Sequence, residues 1–294
     1  MLHGKNPEAV QKKIKLFMYG SAKVGKTTAA IQFPKPYLID TEKGAENKRY
    51  TDLLSQNGGA IFQSSNYDEI LAEIRALLTE QHDFKTLIID PLTTIYSALI
   101  DLEMQKAEKS KNSSALAYGR PYIEVNKKIK RLANLLLQLD MNVVITSHSK
   151  IEYDENMVKI GETFDCYKKM DYLFDLIIHI AKDAKSKARI ATVKGSRLEG
   201  FSEDENFEFS YNEIKKRYNS EFIEQKAIPK TLISDEQLRL LSDLIATLKI
   251  DQITQQKWLD KAGITDFEDL DSEIADKIIN NLNERAKYIA KSKM

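Results

Sequence analysis

A glycine-containing segment near the start of the chain, GSAKVGKT from Gly20 to Thr27, directly follows the apolar run Ile14 to Tyr19. It fits the pattern GxxxxGK[ST], in which glycines let the backbone close around an anion and turn several N–H groups toward it. In this pattern Lys26 places a positive charge on the β- and γ-phosphates of a nucleotide, and the hydroxyl of Thr27 binds Mg²⁺. The segment predicts a site for ATP and Mg²⁺ between a strand and a helix, whose positive end would face the anion.

A second apolar strand ends in a carboxylate at Asp90, in the sequence FKTLIID from Phe84. A Walker B element requires such an aspartate to hold the water shell of Mg²⁺ at the carboxyl edge of a sheet. Any buried strand can end in a solvated or capping aspartate. The interpretation of Asp90 as a Walker B residue therefore depends on the glycine-containing loop upstream. We expect Thr27 and Asp90 to share the metal, and the nucleotide-contacting residues to be Gly20, Ser21, Ala22, Lys23, Val24, Gly25, Lys26, Thr27, Thr28 and Asp90.

Two further carboxylates lie one residue apart, Asp40 and Glu42, where the apolar strand Tyr37 to Asp40 ends. Hydrolysis needs a group that orients or deprotonates water, and a carboxylate beside the γ-phosphate can do this. The alternative is that both are surface carboxylates at a strand end. Glu42 is the candidate catalytic base.

Composition and charge restrict the class of protein. The 294 residues are 42% hydrophobic and 30% charged, with a net charge of zero. A chain of this length can bury a large core, and any attraction to nucleic acid must come from local clustering of charge. The single cysteine, Cys166, excludes an intrachain disulfide and a multi-cysteine zinc site. Without a run of about 18 apolar residues or a signal-peptide core, we expect a cytoplasmic protein with no membrane partner.

Short apolar segments alternate with helix-like segments from residue 14 to about 200, which predicts an α/β fold with a mostly parallel central sheet. Apolar residues at helical spacing predict helices over Tyr67 to Leu78 and Tyr122 to Leu139. The candidate strands are Ile14 to Tyr19, Tyr37 to Asp40, Ala60 to Gln63, Thr86 to Asp90, Asn142 to Ser147, Leu173 to Ile180 and Arg189 to Val193.

The C-terminal part of the chain predicts a small all-helical module. A boundary is expected at Pro229, after which the capping-box sequence SDEQ from Ser234 opens a helix through Leu248. A second helix, Thr254 to Ala262, stops at Gly263, and a third begins at Ser272. We therefore predict two domains, residues 1–230 and residues 231–294.

These motifs together resemble the RecA-type ATPase core over residues 14–225, and most closely the short phage Sak-type single-strand annealing ATPases. The resemblance implies that Glu42 polarises the attacking water and that His148 senses the γ-phosphate, although a structural histidine is the alternative. It also implies that Lys194 and Arg197 reach a neighbouring subunit's γ-phosphate, unless they simply lie at a solvated strand end. Such a finger requires a homo-oligomer. A ring or short helix is expected, because no N-terminal polymerisation arm like that of bacterial RecA is found.

The same resemblance implies single-stranded DNA as a partner. Two loops, Glu103 to Gly119 and Lys150 to Met170, correspond to the DNA-facing loops, and cations interleaved with aromatic side chains can hold single strands. A lysine-rich helix is, however, usually a solvated face. The cations are Lys106, Lys109, Lys111, Arg120, Lys127, Lys128, Lys130 and Arg131, and the aromatics are Tyr118, Tyr122, Tyr153, Phe164 and Tyr167.

Two other functions fit the same nucleotide motifs. One is a P-loop motor or helicase loader that acts on a protein partner, and the other is a nucleotide-dependent switch without DNA activity. The C-terminal module could also bind a partner such as a single-strand-binding protein.

Overall fold

One mixed β-sheet organises the chain. The computed structural model describes residues 12–109, 119–218 and 220–291. Within these ranges the strand order is β3-β2-β4-β5-β1-β7-β8-β9, with β6 paired to β5. The strands are β1 (Lys15–Gly20), β2 (Pro36–Asp40), β3 (Ala60–Gln63), β4 (Thr86–Asp90), β5 (Asn142–Tyr153), β6 (Lys159–Phe164), β7 (Leu176–Lys182), β8 (Arg189–Ser196) and β9 (Asn206–Glu208).

The strands from β3 through β7 in this order are parallel to one another, whereas β8 and β9 are antiparallel additions. Every residue of β1 is buried, and β4 is buried up to its last residue. Strands covered on both faces read as continuous apolar runs, which is why the sequence located them. The predicted α/β fold with a mostly parallel sheet is confirmed.

The predicted polar loop Lys150 to Met170 is wrong in part, because most of it forms a β-hairpin. Strand β5 continues to Tyr153, and β6 pairs with it in antiparallel register. The turn closes through a hydrogen bond from the N–H of Asp154 to the C=O of Val158. Residues 150–153 of β5 are all exposed, including the apolar side chains of Ile151 and Tyr153. A single-turn 3₁₀ helix, Lys168–Tyr172, then delays the start of β7 to Leu176.

The helices are α1 (Lys26–Ile31), α2 (Lys48–Gln56), α3 (Tyr67–Thr79), α4 (Leu92–Lys109), α5 (Arg120–Gln138), α6 (Tyr211–Arg217), α7 (Ser220–Ile223), α8 (Asp235–Thr247), α9 (Gln252–Ala262) and α10 (Ser272–Lys291). The other predicted loop, Glu103 to Gly119, is therefore helical up to Lys109, and residues 110–118 lie outside the described ranges. No helix in the described ranges is both long and apolar enough to span a bilayer.

The chain divides into two compact units. Unit 1 comprises residues 1–70, 82–98 and 140–227 and contains the whole sheet, and unit 2 comprises residues 71–81, 99–139 and 228–294. The domain boundary at residue 230 stays a prediction. In unit 2 the capping box of Ser234 and Gln237 is present, and Gly263 ends α9 in the left-handed conformation at φ 70°. Helices α8, α9 and α10 enclose their own apolar core, which includes Leu241, Leu259 and Ile279.

An ion cluster ties segments of unit 2 that are distant in sequence. The guanidinium of Arg131 on α5 donates to both carboxylate oxygens of Asp269, at 2.7 and 3.1 Å, and Arg75 on α3 lies 3.6 Å from the same carboxylate. Only 2% of the Asp269 side chain is exposed. Burial alone lowers the pKa of Arg131, but hydrogen bonds to Asp269 and Glu268 outweigh it and raise that pKa.

Candidate active site

The GSAKVGKT loop connects β1 to α1 and lies at the carboxyl edge of the parallel strands. Gly20 is required by close approach, because a Cβ there would lie 2.2 Å from the C=O oxygen of Ile180 on β7. Gly25 has φ 102° and Lys23 has φ 64°, both in the left-handed region. Alternation into this region is the backbone arrangement that forms anion-binding concavities. Because α1 has only six residues, the loop amides and Lys26 carry more of the attraction for phosphate than the helix does.

Lys26 is held over this loop. Its ammonium donates to the C=O groups of Gly20 at 2.7 Å and Ser21 at 2.9 Å, and the residue is only 7% exposed. Burial lowers the pKa of Lys26, while the nearby carboxylates of Asp90 and Glu42 act in the opposite direction. A desolvated cation attracts a polyanion more strongly than a hydrated one, so Lys26 is suited to bind phosphate.

Asp90 and Thr27 meet as the sequence predicts. One carboxylate oxygen of Asp90 accepts the hydroxyl of Thr27 at 2.5 Å, and the other accepts the hydroxyl of Thr146 on β5. Desolvation raises the pKa of Asp90, although these two hydrogen bonds and Lys26 lower it. A cation beside this carboxylate would relieve the unfavourable charge.

The hydroxyl of Thr27 and the carboxylate of Asp90 are suited to bind Mg²⁺. The described ranges contain no group of three or more His, Cys, Asp or Glu side chains arranged to hold a metal ion. Mg²⁺ needs few protein ligands, however, because it keeps several waters and binds through one or two carboxylates together with phosphate oxygens. Thr27 and Asp90 would hold it, and when bound it would neutralise charge on the β- and γ-phosphates.

The loop after β2 places Glu42 beside this site. The carboxylate of Asp40, the last residue of β2, accepts hydrogen bonds from the N–H groups of Glu42 at 3.3 Å, Gly44 at 3.1 Å and Ala45 at 2.9 Å. Asp40 is 3% exposed, so it shapes the loop rather than facing solvent. The two predicted carboxylates therefore have different surroundings: Asp40 binds backbone N–H groups of its own loop, and Glu42 lines the cavity described below.

His148 joins Glu42 at the same edge. In the β1–β5 pairing His148 lies opposite Gly20, and its Nε2 is 3.4 Å from Oε1 of Glu42. The hydroxyl of Thr94, near the start of α4, donates to that same oxygen at 2.8 Å. Sequence reasoning missed Thr94, because nothing in its local sequence indicates a contact with a residue 52 positions away.

A cavity of about 330 Å³ collects these side chains. The predicted loop residues that do not line it are Gly20, Ser21, Val24 and Thr28, and Val24 is instead packed in the apolar core. Tyr50 on α2 is a lining residue that the sequence analysis missed. The lining residues are Ala22, Lys23, Gly25, Lys26, Thr27, Asp40, Glu42, Gly44, Ala45, Tyr50, Asp90, Pro91 and His148.

Lys194 and Arg197 do not line this cavity. Lys194 lies within β8 and not at a strand end, where its ammonium is 3.5 Å from a carboxylate oxygen of Asp204. Arg197 follows β8 and donates to the C=O of Tyr172 at 2.6 Å. Within one chain both cations are thus separate from the nucleotide loop, and a role across a subunit boundary stays a prediction.

Half of the predicted basic cluster is neutralised. A hydrogen bond from Lys106 lowers the pKa of Glu103 and, together with a weaker contribution from Lys128, outweighs the opposite effect of burial. Lys111 and Tyr118 lie outside the described residues. The ion pairs are Lys106 and Lys128 with Glu103, each at 2.9 Å, Lys127 with Glu124 at 2.8 Å, and Arg131 with Asp269 at 2.7 Å.

The β5–β6 hairpin exposes aromatic and apolar side chains. Tyr153 is 50% exposed, Met157 76% and Ile160 61%. Phe164, which the sequence suggested for base stacking, is instead buried and packs edge-on against Phe17 with ring centres 5.1 Å apart.

Comparison with known proteins assigns the chain to a family. The solved structure of the RadB recombinase is similar to the chain with a TM-score of 0.43 and 19% sequence identity, over 67% of this chain and 88% of the other. No curated protein matches the chain. A family model described as an AAA domain matches residues 12–208, more than half of the sequence. The chain therefore belongs to the AAA domain family of P-loop ATPases.

Proposed function

We propose that this protein binds and slowly hydrolyses ATP with Mg²⁺ and uses the cycle to act on single-stranded DNA in recombination or annealing. The observation that carries the ATPase half is the convergence of Lys26, Thr27, Asp90 and Glu42 on one cavity. A phosphate cradle, a metal-binding pair and a carboxylate for water are the parts that phosphoryl transfer to water requires.

The proposal that the protein acts on single-stranded DNA rests more on the β5–β6 hairpin than on α5. Tyr153 is half exposed on β5, and Lys150 on the same strand is partly exposed with its ammonium 3.0 Å from Asp165. Exposed aromatic and cationic side chains suit base stacking and phosphate contact. Half of the basic cluster is paired with carboxylates, so it contributes less positive field than its lysine count indicates. The Sak-type phage proteins remain the group whose motifs this chain most resembles.

We further propose a homo-oligomer, either a ring or a short helical assembly. Lys194 and Arg197 lie outside the cavity of their own chain, as residues that act on a neighbouring subunit would. Mixing Arg197→Ala protein with wild type tests this idea. Loss of activity greater than the diluted fraction supports shared sites, and activity strictly proportional to wild-type content contradicts them.

A second function deserves the same test, because one observation favours it. The hairpin tip carries Met157, Val158 and Ile160, all more than half exposed, and exposed apolar side chains are typical of protein contacts. A motor or loader acting on a protein partner would use such a tip.

The ATPase rate with and without a single-stranded oligonucleotide distinguishes the two. Stimulation by the oligonucleotide that Tyr153→Ala reduces supports action on DNA. A basal rate that no oligonucleotide changes, at low salt as well as at physiological salt, contradicts it and favours a protein partner.

A further inference from the structure

Both contacts of the Glu42 carboxylate fall on one oxygen. Oε1 accepts the hydroxyl of Thr94 at 2.8 Å and lies 3.4 Å from Nε2 of His148. Among the described residues, no group hydrogen-bonds the other oxygen, Oε2. The carboxylate is thus held by one edge and presents the other to the cavity that it lines.

The first turn of α4 fixes this arrangement. Thr93, the buried neighbour of Thr94, accepts the backbone N–H of His148 at 3.0 Å, and its hydroxyl is 3.0 Å from that of Ser147. The turn follows Asp90 by only two residues. One helical turn therefore connects the metal-binding carboxylate, the end of β5 and the candidate catalytic carboxylate.

We propose that Thr94 is a positioning residue that orients Glu42 for attack by water, an inference that rests on the proposed ATPase function. In the reaction, the water oxygen forms a bond to the γ-phosphorus, and the bond to the bridging oxygen breaks with its electron pair going to ADP. The water proton goes to Oε2 of Glu42. Thr94 does not line the cavity, and it acts by leaving Oε2 as the free acceptor.

This contact matters because Glu42 is otherwise weakly restrained. Its side chain is 44% exposed and its only other described side-chain partner is His148. A glutamate loses rotamer freedom when it is held in one orientation, and the hydrogen bond from Thr94 offsets that cost before ATP binds. Removal of the hydroxyl releases the carboxylate without disturbing the phosphate cradle.

The test compares Thr94→Val with Thr94→Ser. Valine keeps the shape of threonine and removes the hydroxyl, and serine restores the donor. We expect Thr94→Val to lower kcat about tenfold, the value of one hydrogen bond to a charged group, with an unchanged KM for ATP, and Thr94→Ser to recover most of the rate. The control is Thr79→Val, whose hydroxyl donates only within its own helix to the C=O of Arg75.

A double variant separates positioning from structure. If Thr94 acts through Glu42, Glu42→Gln with Thr94→Val should turn over no more slowly than Glu42→Gln alone. Fully additive losses, or a Thr94→Val protein with normal kcat beside an active wild type, would overturn this inference alone. A wild-type protein without ATPase activity would overturn the proposed function as well.

Discussion

Replacing Asp90 by asparagine should stabilise the nucleotide-free protein while removing its response to Mg²⁺ and ATP. The carboxylate is desolvated enough to raise its pKa even with Lys26 nearby. Asparagine can keep both hydroxyl contacts, one as acceptor and one as donor. The substitution turns two charge-assisted hydrogen bonds into neutral ones, which costs about 1 kcal/mol each. It also removes the desolvation penalty of the buried carboxylate, which is several kcal/mol. We expect a net gain of about 1–2 kcal/mol in the free energy of unfolding at pH 7.

The pH dependence has a definite sign. The pKa of an aspartate in the unfolded chain is about 3.9. A carboxyl whose pKa is higher than this in the folded state stabilises the fold when it is protonated. That stabilisation is lost as the pH rises through the folded-state pKa. The advantage of Asp90→Asn should therefore be greatest near neutral pH and shrink as the pH falls toward 4. Urea denaturation of both proteins across this range measures it.

Binding of ATP with Mg²⁺ should make the wild type more stable than Asp90→Asn, the reverse of the order without nucleotide. At 100 times its dissociation constant a ligand stabilises the folded state by about 2.7 kcal/mol, and only the wild type should gain this from ATP with Mg²⁺. The reasoning is refuted if Asp90→Asn is less stable than wild type without nucleotide at pH 7, or if the difference does not change with pH.

Other predictions follow from single contacts. Glu42→Gln should bind ATP normally and slow turnover at least a hundredfold, within the range for loss of a general base, and an unchanged rate would assign the chemistry elsewhere. Arg131→Ala should lower the free energy of unfolding by about 3–5 kcal/mol, because it leaves the buried carboxylate of Asp269 without its main partner, whereas the surface-pair control Lys127→Ala should change it by less than about 1 kcal/mol; equal effects in denaturant titrations would contradict this. Burial raises the pKa of the Cys166 thiol to about 12, so a thiol reagent at pH 8 should label the native protein far more slowly than the unfolded protein, and equal labelling rates would show that the thiol is accessible.

The sequence predicted the parts of the molecule that depend on local pattern. The GxxxxGKT loop, the apolar strands and the Ser234 capping box are each specified within a few residues, because the backbone conformations and burial involved are local. The contact between Thr27 and Asp90 could also be predicted from the sequence, because parallel strands end at one edge of a sheet.

Contacts between distant residues could not be predicted in this way. Two strands and two helices separate Thr94 from Glu42, and 138 positions separate Arg131 from Asp269, so no periodicity brings either pair together. The hairpin was missed because its polar and charged residues resemble a loop, and only the pairing of β5 with β6 satisfies its backbone. The pairing of half of the basic cluster with carboxylates likewise depends on side-chain geometry.

The most direct test of the account is a calorimetric titration of ATP, with and without Mg²⁺, into wild type and Lys26→Ala. Lys226→Ala is the control, because this side chain is 79% exposed and forms a surface ion pair with Asp83. The account predicts Mg²⁺-dependent binding by wild type and Lys226→Ala and none by Lys26→Ala at the same concentrations. Equal affinity of Lys26→Ala and wild type for ATP would contradict it.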